Sequence, residues 1–198
     1  MNNRTEDISS STKKLIFIIF FLFLILFSKY LPYGNIQTND NSSLKMIFNL
    51  YFFISYQTLG IVHEGGHGIC HLIECPKFIT TLNGTIFQVL FPLGIGYYYK
   101  LRENYIGFWI GIFFTGFSLQ YTSWYISTAH QGLFVSGSKS FLGQDGYHDF
   151  NYILDTMGLL AYDNGISILV KLIAYGLMIF SVWKMFLLAF NMKSLSKR

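Results

Sequence analysis

The sequence predicts an all-α chain, a polytopic membrane helix bundle of four to five spans with a re-entrant segment at 79–99. Three observations carry this. Of the 198 residues, 52% are hydrophobic and only 12% charged, outside the composition of ordinary soluble domains. The apolar residues come in long runs separated by short polar stretches, several of them near the roughly 20 residues a membrane-spanning helix needs. Lys, Arg, Trp and Tyr gather at the ends of these runs, where lipid headgroups lie. The net charge of +4 is small and forms no basic stripe, which excludes a nucleic-acid partner and leaves the lipid bilayer.

Residues 1–14 are polar, end in Lys13-Lys14 and read as a flexible tail. A first span covers Leu15 to about Leu31, with no small-residue cleavage site after it, so it is a retained anchor. Residues 32–44 carry turn chemistry, and Ser42 or Ser43 can cap a helix that runs from near Leu44 to Cys75, where Pro76 ends it. Cys70 and Cys75 match no metal or disulfide framework and read as unpaired buried thiols. Residues 79–99 are apolar but interrupted by Asn83, Gln88, Pro92 and three glycines. Irregular backbone at membrane depth must line a cavity, hence the re-entrant assignment, with Asn83 and Gln88 as residues to hold a substrate's backbone. A further span runs from Tyr105 to about Ser127, and 128–150 is a Gly- and Ser-rich loop. Residues 151–162 form a short amphipathic helix with Ile153, Leu154, Met157 and Leu160 on one face. Asp163-Asn164-Gly165 breaks it and caps a last span over about 166–190. Residues 192–198 are a basic tail, and 15–191 a single membrane-embedded domain. Lys13-Lys14 at one end and Lys193, Lys197 and Arg198 at the other put both termini on the cytoplasmic side.

The chemistry sits in His63-Glu64-Gly65-Gly66-His67. On a helix, residues four apart share one face with about 6 Å of rise, so the imidazoles of His63 and His67 can converge on one ion in the H-E-x-x-H manner of zinc hydrolases. Imidazole suits Zn²⁺, and a catalytic site takes three protein ligands with one position left open. Glu64 can then serve as general base toward water. Ionisable residues in so apolar a segment mark a functional site. His71 continues the face, but lies about 12 Å from His63 along the axis, too far to share the ion. The third ligand must come from elsewhere, and Gly143-Gln144-Asp145-Gly146-Tyr147-His148-Asp149 is the other concentration of metal-binding residues.

An H-E-x-x-H on an apolar helix, followed far downstream by Asp-Gly-x-His at a helix start, resembles the site-2 protease family of intramembrane zinc metallopeptidases. The resemblance covers these two short motifs and the membrane character. It implies that His63, His67 and Asp145 bind zinc and that Glu64 is the catalytic base. The family's Asn-x-x-Pro-x-Pro-Leu stretch before the Asp-Gly pair is not met by residues 139–144, so Asp149 and His148 stay as alternatives to Asp145. The expected activity is zinc-dependent hydrolysis of peptide bonds in or near the membrane-spanning segments of a membrane-protein or peptide substrate. A non-catalytic metal- or partner-binding module of the same fold is the alternative.

Overall fold

The computed structural model describes residues 8–29, 43–132 and 148–190, and gives backbone alone for 26–29 and 43–57. Every regular element among them is a helix, as expected. They run α1 (Ser10–Lys29), α2 (Ser43–Leu72), α3 (Lys77–Leu101), α4 (Tyr105–Ser127), the 3-10 turn η1 (Ala129–Gln131), α5 (Asp149–Thr156), the 3-10 turn η2 (Leu160–Tyr162) and α6 (Asp163–Ala189).

Local chemistry sets the boundaries. The Ser9 hydroxyl accepts the Thr12 N–H at 3.2 Å, so α1 starts at Ser10 and takes in residues 10–14, assigned above to a flexible tail. Asn104 Oδ1 accepts the Gly107 N–H at 2.9 Å and opens α4 in the same way. Helices α2, α3 and α5 end alike, in Schellman motifs where an N–H reaches back five residues past a left-handed position. These bonds are Cys75 to Cys70 at 2.9 Å, Asn104 to Tyr99 at 2.9 Å and Leu159 to Leu154 at 2.7 Å. The left-handed residues are Glu74 (φ 55°), Glu103 (φ 59°) and Gly158 (φ 68°). Because Gly158 stops α5 early, Met157 is 55% exposed instead of joining Ile153 and Leu154 on the buried face.

The same geometry corrects the cysteine assignment. A Schellman motif brings together the side chains of the residues five apart that it hydrogen-bonds. After α2 these are Cys70 and Cys75, which form a disulfide with Cα atoms 5.0 Å apart, inside the usual range of roughly 4.4–6.8 Å.

The chain forms two compact units, one of residues 32–89 and 120–171, the other of 1–31, 90–119 and 172–198. In the first, Ile126, Ala129, Phe150, Ile153 and Leu154 make a buried cluster against which Phe78, Leu82, Tyr152, Leu159 and Val170 pack. Helices α4 and α6 are joined by Ser123 and Ser167, each hydroxyl donating to the other's carbonyl, at 2.9 and 2.7 Å. Helices α2 and α3 cross with their backbones in contact. A Cβ on Gly66 would fall 2.5 Å from the Asn83 carbonyl oxygen and 2.9 Å from Gly84 Cα, and the Asn83 amide donates to the Gly66 carbonyl at 2.6 Å. In the second unit Phe20 of α1 meets Phe113 edge to face at 4.8 Å, Phe17 meets Phe186 at 5.4 Å, and Phe113, Met178 and Met185 are buried.

Two helices are long and apolar enough to cross a membrane: α3, and the run Leu160–Ala189 that joins η2 to α6, with mean hydropathies of 1.4 and 2.0. The re-entrant break expected over 79–99 is absent. α3 continues through Pro92 for 25 residues, about 37 Å. Thr81 bonds within the helix, to the Lys77 carbonyl at 2.9 Å, and Asn83 bonds to α2, so neither interrupts it. The argument for two cytoplasmic termini used that re-entry to obtain an even number of crossings, and loses this basis.

Candidate metal centre

Helix α2 continues through Gly65 and Gly66, so His63 and His67 stand one turn apart with ring centroids 4.7 Å from each other. From 82 residues further on, Asp149, the first residue of α5, brings its Oδ2 to 2.8 Å from His63 Nε2 and 3.2 Å from His67 Nε2. The two Nε2 atoms are 3.0 Å apart. His63 and Asp149 are buried and His67 half-buried.

The far side of each ring fixes its tautomer. His67 Nδ1 faces the Thr80 carbonyl at 2.7 Å and His63 Nδ1 faces Gln88 Oε1 at 3.1 Å. Both partners accept, so both Nδ1 atoms carry the hydrogen and both Nε2 lone pairs point inward. Two lone pairs and a carboxylate oxygen within 2.8–3.2 Å repel unless positive charge lies among them. Ligands about 2.0–2.1 Å from a tetrahedral zinc stand about 3.3 Å apart, and three of them leave one position open. The donor set and its spacing fit zinc, and each imidazole has the outer carbonyl partner usual for a metal ligand.

Asp149 is held by its neighbours on α4, η1 and α5. His148 caps α5, its Nδ1 accepting the Asn151 N–H at 3.3 Å, so its Nε2 donates to Thr128 Oγ1 at 2.9 Å. Thr128 in turn donates to the Tyr125 carbonyl at 2.8 Å. The Tyr125 ring stacks on His148 with centroids 4.3 Å apart, and its hydroxyl oxygen accepts the Asp149 N–H at 3.1 Å. Burial pushes the His148 pKa below its ordinary value, which keeps the ring neutral.

Among the described residues the acid that stands with the two imidazoles is Asp149, one of the two alternatives named from sequence, while the other, His148, caps α5. Asp145 lies outside the described residues. Glu64 is half-buried, with no hydrogen bond to its carboxylate among the described residues. Asn83 and Gln88, expected to hold a substrate's backbone, both have hydrogen-bond partners on α2. Asn83 ties α3 to α2, and Gln88, 1% exposed, bonds His63. His71 is exposed.

Thr80, Gly84 and Tyr125 escape a residue-by-residue reading. A signal for two of them existed: Thr80, Gly84 and Gln88 recur every fourth position along α3, a polar and small stripe complementary to the His63–His67 face of α2. Gly84 stands at the ligands themselves, since a Cβ there would lie 2.5 Å from His67 Nε2 and 2.8 Å from His63 Nε2. Gln88→Leu, which removes the outer partner of His63, is expected to weaken zinc binding by about 10- to 100-fold, read by competition with a chromogenic chelator. Gln88→Glu, which keeps an acceptor in place, is expected to restore most of it.

Compared with protein-family models, curated proteins and solved structures, the chain matches none.

Proposed function

We propose that this chain is a small multi-pass intramembrane zinc metallopeptidase that hydrolyses peptide bonds in or near membrane-spanning segments of its substrates. The observation carrying this is the convergence of His63 Nε2, His67 Nε2 and Asp149 Oδ2, with both rings locked by their Nδ1 atoms. The H-E-x-x-H sequence adds a carboxylate, Glu64, beside the first ligand. Two apolar helices of spanning length support the membrane setting.

A zinc ion in this triad would polarise the scissile carbonyl and acidify water to a pKa of about 7. Glu64 takes the proton of the attacking water and returns it to the departing amide nitrogen. A new carbon–oxygen bond replaces the carbon–nitrogen bond, and a carboxylate and an amine leave. Gln88 and Thr80 keep both imidazoles facing inward, so the ligand set needs no rearrangement during the cycle. A helical substrate hides its amides in its own hydrogen bonds and must unwind locally to present one.

The test uses full-length protein in detergent with peptides derived from transmembrane segments. Wild type is expected to carry about one zinc per chain, a single ion for three ligands, and to cleave. Glu64→Gln is expected to keep the zinc and lose about 10²- to 10⁴-fold in rate. Metal-free protein, or an undiminished Glu64→Gln, refutes the proposal. Zinc without turnover by wild type would make the chain a metal-binding module.

A further inference from the structure

We infer that Cys70 and Cys75 form a reversible thiol–disulfide modification site that sets how tightly the His63–His67–Asp149 centre holds its metal. The inference rests on that metal centre and names a control over it.

The covalent link is joined to the centre by a short chain of bonds. Cys70 lies three residues after His67 on α2, 3% exposed, and the disulfide crosses to Cys75 in the turn before α3. The Cys75 carbonyl accepts the Thr80 hydroxyl at 3.2 Å, which also lies 3.3 Å from the Pro76 carbonyl. The carbonyl of the same Thr80 accepts His67 Nδ1 at 2.7 Å, the contact that aims His67 Nε2 inward. The turn between them holds Glu74 in the left-handed region at φ 55°, a conformation that residues with a Cβ rarely adopt. Opening the disulfide frees the C-terminus of α2 from the turn and leaves only the Schellman hydrogen bonds to keep Glu74 there. The Thr80 carbonyl then has a less fixed position and His67 a looser tautomer.

Cys75 is half-buried and Cys70 buried, so an incoming thiolate reaches the Cys75 sulfur first. It forms a mixed disulfide there and expels the Cys70 thiolate, and a second thiol of the reductant closes its own disulfide and releases Cys75. Two electrons and two protons pass from the dithiol to the protein. Oxidising compartments keep such a bond closed and reducing ones open it, so metal retention follows the redox state on that side of the membrane.

The experiment is cobalt titration of full-length detergent-solubilised protein, air-oxidised or reduced with a water-soluble phosphine that is removed beforehand, with free thiols counted in each sample. Oxidised protein is expected to show no free thiol, and reduced protein two and a cobalt affinity at least about 10-fold weaker, the size of effect seen when an outer partner of a ligand is lost. Thr80→Val, which cuts the hydroxyl link but keeps the carbonyl, is expected to bind cobalt alike in both states. Equal affinities in wild type, two free thiols in air-oxidised protein, or a sulfur-to-cobalt absorption band in the reduced sample overturn the inference while leaving the metal centre standing. No cobalt binding in either state overturns the metal centre itself.

Discussion

Asp149→Ala is expected to leave the purified protein without zinc, while Asp145→Ala leaves its zinc content unchanged. The Asp149 carboxylate is the one group among the described residues that closes the His63–His67 pair into a set of three. Without it two imidazoles remain, short of the three protein ligands of catalytic zinc sites. The affinity loss should exceed the roughly 100-fold upper range seen for outer partners. Folding should suffer little, because an acidic residue in the first turn of a helix is worth about 0.3–1 kcal/mol at an exposed site and the His148 cap on α5 is untouched. Elemental analysis of both variants beside wild type decides the matter, and zinc retained by Asp149→Ala but lost by Asp145→Ala would reverse the assignment.

Gly84→Ala is expected to be as severe for metal binding, although it should favour the helix that carries it. Alanine exceeds glycine in helix propensity by about 0.8–1.0 kcal/mol, so local energetics alone argue for a more stable α3. The added methyl, however, would stand 2.5 Å from His67 Nε2 and 2.8 Å from His63 Nε2, in the space a shared ion needs. Both rings are tied at Nδ1 and cannot move aside without giving up those bonds. The expected pattern is undiminished helical content by circular dichroism together with loss of zinc. Gly68→Ala on α2 is the control, because nothing lies within 4 Å of a Cβ there, and it should bind zinc like wild type. A Gly84→Ala protein with a full complement of zinc would show that α3 does not wall the centre.

What could be read from sequence was governed by local rules. The i, i+4 spacing of His63 and His67 is a property of any helix, and α4 spans Tyr105–Ser127 because its apolar run is bounded by Asn104 on one side and by Thr128 and a Gly- and Ser-rich sequence on the other. The third ligand depends on how a segment 82 residues away packs, which spacing cannot supply. Asp145 was the first choice for the third ligand, with Asp149 and His148 as alternatives; among the described residues the acid beside the two imidazoles is Asp149, just inside a helix start, and the adjacent His148 serves as the cap. The error at Cys70 and Cys75 has the same origin in reverse: a short-range signal, a helix stop before Pro76, was present and was set aside for lack of a familiar framework. Gly84, Gln88 and Pro92 read as breaks because glycine, amide and proline usually interrupt apolar helices. Here α2 supplies the close approach and the hydrogen-bond partner that account for the first two.

The inward-facing triad also bears on how loading must proceed. Imidazole and carboxylate bind a metal in their deprotonated forms. Taking up the metal is thus an exchange in which acid is given back to the surroundings. The ambient acidity competes with zinc for one seat, and the share of molecules that are armed depends on both.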